Sequence, residues 1–147
     1  MNTTTTEKLV LTRTFAAPRE RVFAAWTQPE QISQWFGPPN AEMLDVQSDI
    51  RTGGHYHIQF KSEQYGEMKV YGKYREVTPP SKLVYTWQWA DDPAYVNHET
   101  LVTVEFIAKG DSTELHLTHE NFPTEENRSN HEQGWNCGFD SLEKLLA

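Results

Sequence analysis

Hydrophobic and polar positions alternate along most of this chain, and the alternation gives way to a helical period near each end. Between Lys8 and Phe15, Leu9, Leu11 and Phe15 fall on one side and Val10, Thr12 and Thr14 on the other, the period of a strand. Pro18 then opens a helix, because a proline at the first helical position gives up no hydrogen bond. That helix carries Val22, Phe23 and Trp26 on one side. A second short helix starts at Gln28-Pro29-Glu30, holds Ile32, Trp35 and Phe36, and stops at Gly37-Pro38-Pro39. From Ala41 to His119 the signals are those of strands: Glu42 to Ser48, His55 to Phe60, Glu67 to Val77, Leu83 to Trp89, Glu99 to Ala108 and Thr113 to His119. Gly53-Gly54, Thr78-Pro79-Pro80-Ser81 and Lys109-Gly110-Asp111-Ser112 mark turns between them. Connections this short predict an antiparallel meander with one buried and one solvated face.

The run from Pro123 to Ala147 has the period of an amphipathic helix. Asn127, His131, Gly134, Trp135, Gly138, Phe139, Leu142, Leu145 and Leu146 share one stripe, with Glu132, Gln133, Asn136, Asp140, Glu143 and Lys144 opposite. Its start is open between Thr124 and Ser129, since Ser129-x-x-Glu132 fits a capping box, and Glu125 and Glu126 suit a helix N-terminus. Each interior glycine costs a helix roughly 1 kcal/mol relative to alanine. Keeping Gly134 and Gly138 on the inner stripe therefore implies that something, a strand or a ligand, approaches the backbone there.

Composition narrows the function classes. The chain has 147 residues, which suits one domain, expected over residues 8–147 after a disordered tail at residues 1–7. A net charge of −8 excludes nucleic acid and anionic membrane as expected partners, because both need clustered Lys and Arg. The single cysteine, Cys137, permits no intramolecular disulfide and fits a reducing, cytoplasmic setting. The threonine-rich start has no apolar segment of a signal peptide, and no apolar run has the length of a membrane span.

The order of elements and several motifs resemble a known family. Phe15-Ala-Ala-Pro18-Arg-Glu-Arg-Val22-Phe23, with Trp26, Pro29 and Trp35-Phe36-Gly-Pro38, resembles the opening of SRPBCC domains, the START-like and birch-pollen-allergen-like proteins. Gly53-Gly-His-Tyr56, Gly72-Lys-Tyr74-Arg-Glu-Val77-Thr-Pro-Pro80 with Leu83, and Gly134-Trp135 with Leu142 are similar to the subfamily named after the activator of the heat shock protein 90 ATPase. The resemblance runs from about Lys8 to Ala147. It implies an α+β helix-grip fold: a curved antiparallel sheet of about six to seven strands wrapped around a long C-terminal helix, with two short helices after the first strand and a cavity between sheet and helix. Members bind lipids, hormones and polyketides, and a few catalyse cyclisation or dehydration, so the fold does not fix the function.

Alternation then selects the expected cavity lining: Trp35, Phe36, Tyr56, Ile58, Phe60, Tyr74, Tyr85, Trp87, Val102, Val104, His119, His131, Trp135 and Phe139, with Trp89 beside them. Aromatics also dominate ordinary cores, so each one taken singly reads as core. Gly72 joins Gly134 and Gly138 as a source of space. His119 and His131 point inward and suit ligand orientation or acid–base work, or else simple hydrogen bonding at a rim. Glu67, Glu99 and Arg51 stand near strand ends, where register decides what they face. His55 and His57 share the outer face, with His116 on another strand; two histidines do not complete a zinc site, and no metal or cofactor is expected.

Three functions follow. The first is binding of a small hydrophobic, amphipathic or aromatic molecule between sheet and helix, without covalent chemistry. The second is a cyclase- or hydrolase-type enzyme, which needs a titratable pair such as His119 with Glu67 or His131 inside the cavity. The third, regulation of the chaperone ATPase, comes from the subfamily name alone. The named activator resembles this sequence only in its C-terminal half, and its separate chaperone-binding domain has no counterpart in these residues. A homodimer through exposed aromatics is neither favoured nor opposed.

Overall fold

The computed structural model of the chain describes residues 7–38 and 40–147, so the expected tail at residues 1–7 lies outside the described residues apart from Glu7. The strands are β1 (Leu9–Phe15), β2 (Glu42–Ser48), β3 (His55–Ser62), β4 (Gly66–Thr78), β5 (Lys82–Trp89), β6 (Thr100–Lys109) and β7 (Ser112–Glu120). Helices α1 (Arg19–Thr27) and α2 (Pro29–Trp35) follow β1, and α3 (Glu125–Leu146) ends the chain. A single antiparallel sheet runs in the order β1-β7-β6-β5-β4-β3-β2. This is the expected α+β helix-grip architecture, with seven strands.

Local chemistry explains the boundaries. Gln28 ends α1 with its N–H on the Ala24 carbonyl and also serves as the N-cap of α2, whose first residue is Pro29. Pro18 is the N-cap of α1 and not its first helical residue. The ambiguity at α3 resolves to Thr124, whose side-chain oxygen accepts the Asn127 N–H at 3.1 Å. Ser129 therefore lies within the helix, and its capping box is not used.

The inner face of the sheet packs on α1 and on the C-terminal half of α3. Phe23 and Trp26 meet Phe106, and Trp26 stacks on Trp135 with centroids 6.0 Å apart. Phe139 meets Phe15 edge-on at 6.0 Å. Along α3, the buried residues are Trp135, Gly138, Phe139, Leu142 and Leu146, none of them before the middle of the helix. None of its first ten residues is buried, so this end of the helix overhangs the sheet without closing on it.

Gly72 shapes the middle of the sheet. It pairs with Tyr56 on β3 and packs against Thr86 of β5 so closely that a Cβ would fall within 2.7 Å of the Thr86 carbonyl carbon. The Tyr56 ring lies over this bare backbone, and its hydroxyl donates to the Thr86 carbonyl oxygen. At the next residue of β4, the Lys73 N–H turns to the Thr86 hydroxyl at 2.9 Å, and the β4–β5 register shifts between Tyr74 and Glu76. The space left by Gly72 is therefore filled by protein. It is not part of a ligand cavity, as the sequence had suggested.

Candidate functional site

Two voids lie between the sheet and the helices, of very different size. The inner one has about 30 Å³ and is lined by Trp26, Ile32, Trp35, Phe36, Tyr56, Ile58, Tyr74, Tyr85, Trp87 and Trp135. That is room for about one or two waters. The outer one is a cleft of about 660 Å³ under the overhanging half of α3. Trp35, Phe36, Phe60, Trp87, Trp89, Trp135, His131 and Gly134 line it, together with segments from three connections.

The fourteen residues expected to line one cavity thus divide four ways. Trp35, Phe36, Trp87 and Trp135 face both voids and form the wall between them; Phe60 and His131 face only the cleft. Tyr56, Ile58, Tyr74 and Tyr85 face only the small inner void. Val102, Val104, His119 and Phe139 line neither, and each is almost wholly buried in core. Alternation assigns a side chain to a face but not to a depth along it, which is why core and lining residues were grouped together.

The rim was missed. Gln64, Tyr65, Glu67, Met68 and Lys69 come from the β3–β4 hairpin, Asp91, Asp92 and Pro93 from the loop after β5, and Asn130, Gln133 and Cys137 from α3. A signal for it existed in the strand count. In a meander, every second connection falls at the same end of the sheet. The α2–β2 link, the β3–β4 hairpin, the β5–β6 loop and the start of α3 must therefore share one end, and they are the cleft.

The two α3 glycines serve different purposes. A Cβ at Gly138 would lie 3.4 Å from the Trp35 ring, so this glycine lets α2 approach α3. A Cβ at Gly134 would meet nothing within 4 Å, because Gly134 faces the open cleft.

Indole N–H groups can only donate, so they fix the histidine tautomers. Trp87 and Trp89 both donate to His131 Nε2, at 3.3 and 2.9 Å, and His131 Nδ1–H donates to the Asn127 carbonyl at 2.7 Å. Trp135 donates to His119 Nδ1 at 3.1 Å, leaving His119 Nε2–H to donate to Thr100 Oγ1 at 2.9 Å. Thr100 passes its own proton to the Trp87 carbonyl at 2.6 Å. Both imidazoles are neutral and have every ring nitrogen engaged. Burial pushes His119 well below the ordinary histidine value of 6.5, with His131 adding to the effect. Burial also lowers His131, against opposing contributions from the Asn127 carbonyl and Asp92.

Of the titratable pairs that an enzymatic reading calls on, His119 and His131 lie with ring centroids 5.2 Å apart and only His131 faces the cleft, while the others stand apart. His119 faces neither void, Glu67 is exposed at the rim, Glu99 pairs with Arg75 on the surface, and Arg51 pairs with Asp49. His57 bonds Asp45 at 2.7 Å and His116 bonds Glu114 at 2.6 Å. Among the described residues, no three His, Cys, Asp or Glu side chains converge as metal ligands. No helix there is long and apolar enough to cross a membrane.

These titrations predict a stability dome. His119 and His131 have lowered folded pKa values, so the unfolded chain binds more protons, and stability falls as pH drops below about 6.5. Burial raises Tyr74 to about 12 and Tyr56 and Tyr85 further. Raised acids give the opposite sign: stability is full below pH 10 and falls above it. Urea midpoints are expected to be flat between about pH 7 and 9 and to fall on both sides. A midpoint unchanged from about pH 7 to pH 5 would mean that the histidines take up protons without unfolding.

A curved sheet gripping a C-terminal helix above an aromatic-floored cleft defines a helix-grip, START-like domain. Within that class, residues 16–147 match the model of the Activator of Hsp90 ATPase homolog 1-like protein family, and the chain belongs to it. A protein of this family from Silicibacter pomeroyi is 27% identical with a TM-score of 0.84, over 95% of this chain and 97% of that one. A protein from Chromobacterium violaceum is 25% identical with a TM-score of 0.83, over 95% and 96%. A solution structure from Staphylococcus epidermidis is 27% identical with a TM-score of 0.78, over 98% and 92%. No curated protein matches the chain.

Proposed function

We propose that this protein binds a small apolar or amphipathic molecule in the cleft beneath α3, without covalent chemistry. The observation that carries the reading is the cleft itself. Its volume of about 660 Å³ falls within the range of small-molecule sites, and its floor is aromatic with a polar rim. The core beneath it has no orphaned buried polar group among the described residues, so the sheet tyrosines need no ligand to satisfy them.

Gly134 supplies the test. Gly134→Ala adds a methyl group in open space and removes the helical cost of glycine, so it is expected to raise stability by up to about 1 kcal/mol and leave binding intact. Gly134→Trp places a large ring in the cleft. Native mass spectrometry of protein from its own host, with extraction of what it releases, is expected to show a small molecule retained by the parent and the alanine variant and lost from the tryptophan variant. Retention by all three would put the ligand elsewhere. An empty parent with no thermal shift across lipids and aromatic compounds would remove the binding reading.

A further inference from the structure

We infer that the cleft selects molecules that pair an aromatic or apolar body with a positively charged amine; the inference rests on the binding reading above. The floor has no hydrogen-bond donor to offer. Trp87 and Trp89 spend their N–H groups on His131, Trp135 spends its N–H on His119, and Trp35 donates to the Ala25 carbonyl at 2.8 Å. What these four indoles present to the cleft is ring surface, which attracts cations through the negative face of the π system. An anionic headgroup placed on that floor would lose its hydration and find no indole donor in return.

The rim has the complementary charge. Asp91 and Asp92 line the rim from the loop after β5, while Glu67 and Lys69, one of each charge, border it from β4 at register positions opposite Lys61 and Gln59 on the outer face of the sheet. Asp92 accepts the Ala94 N–H through Oδ1 at 3.0 Å, which fixes its carboxylate at the rim. His131 adds no positive charge, since its Nε2 is the acceptor for both tryptophans. A net charge of −8 steers cations towards the molecule as a whole.

The test uses three probes of one shape: naphthylmethylamine, naphthylmethanol and naphthoate, titrated by calorimetry into the intact protein. The amine is expected to bind about tenfold more tightly than the alcohol, with naphthoate weakest, and added salt to narrow the gap. Asp91→Asn with Asp92→Asn keeps the amide-compatible cap at position 92 and is expected to remove most of the preference without lowering affinity for the alcohol. Equal binding of all three probes, or a preference untouched by the double variant, would overturn the charge selection and leave the binding reading standing. Binding of no probe by the parent or by Gly134→Ala would remove both.

Discussion

Gly72→Ala is expected to destabilise the protein by about 3 kcal/mol or more, at the far end of what single substitutions do. The usual sign is the reverse. Alanine restricts the unfolded chain and fits a strand better than glycine, so the change ordinarily stabilises where the native backbone permits it. Here the backbone angle is not the obstacle. The new Cβ overlaps the Thr86 carbonyl oxygen and lies 2.7 Å from its carbon and 2.8 Å from Cε1 of Tyr56. The first two atoms belong to the main chain of β5, which is anchored on its other side by pairing with β6. Relief must come from parting β4 and β5 or from lifting Tyr56 off the sheet. Lifting Tyr56 breaks its hydroxyl bond to Thr86 and disturbs its contacts with Tyr74 and Tyr85, at 5.5 and 5.3 Å between centroids. Urea unfolding compares this variant with Gly134→Ala, the same chemical change in open space. Opposite signs are expected. A Gly72→Ala midpoint at or above that of the parent would show that the strands part there freely.

Much of the fold could be read from period alone, because each strand buries one face and the turns between strands are short. The α3 stripe from Trp135 to Leu146 also stands where the spacing puts it. Site geometry was less accessible for a physical reason. Tyr56, Tyr74 and Tyr85 share the inner face with Phe60, yet the first three close over a void of about 30 Å³ and Phe60 faces the cleft. That distinction depends on position along the strand and on how far α3 leans over it. The two α3 glycines look alike in sequence, and only the placement of Trp35 separates the one that packs from the one that faces open space. Rim residues such as Tyr65 and Asp91 sit in turns, where hydrophobic period is silent. Counting which connections share an end of the meander would have gathered them.

His131→Phe should uncouple the cleft floor from the helix above it. The substitution keeps an aromatic ring of similar size against Phe122 and Tyr95, which lie 5.0 and 6.4 Å from the imidazole. It removes the one acceptor shared by the Trp87 and Trp89 indoles. An unmade hydrogen bond on a buried donor costs about 1–3 kcal/mol. These two donors are only part-buried beside the cleft, so water offsets some of the loss, and the expected total is about 2 kcal/mol. His131→Gln places an amide oxygen near the position of Nε2 and should recover most of the stability; a merely space-filling role for His131 would give no such recovery. The phenylalanine variant should also lose part of the stability change between about pH 7 and pH 5, since one of the two histidines that resist protonation is gone. Tryptophan emission should shift to the red as water reaches the freed indoles, and affinity for an aromatic probe should fall with it. If the phenylalanine variant kept the parent's urea midpoint, emission and probe affinity together, the two tryptophans would be held by packing alone, and His131 would have no part in shaping the cleft.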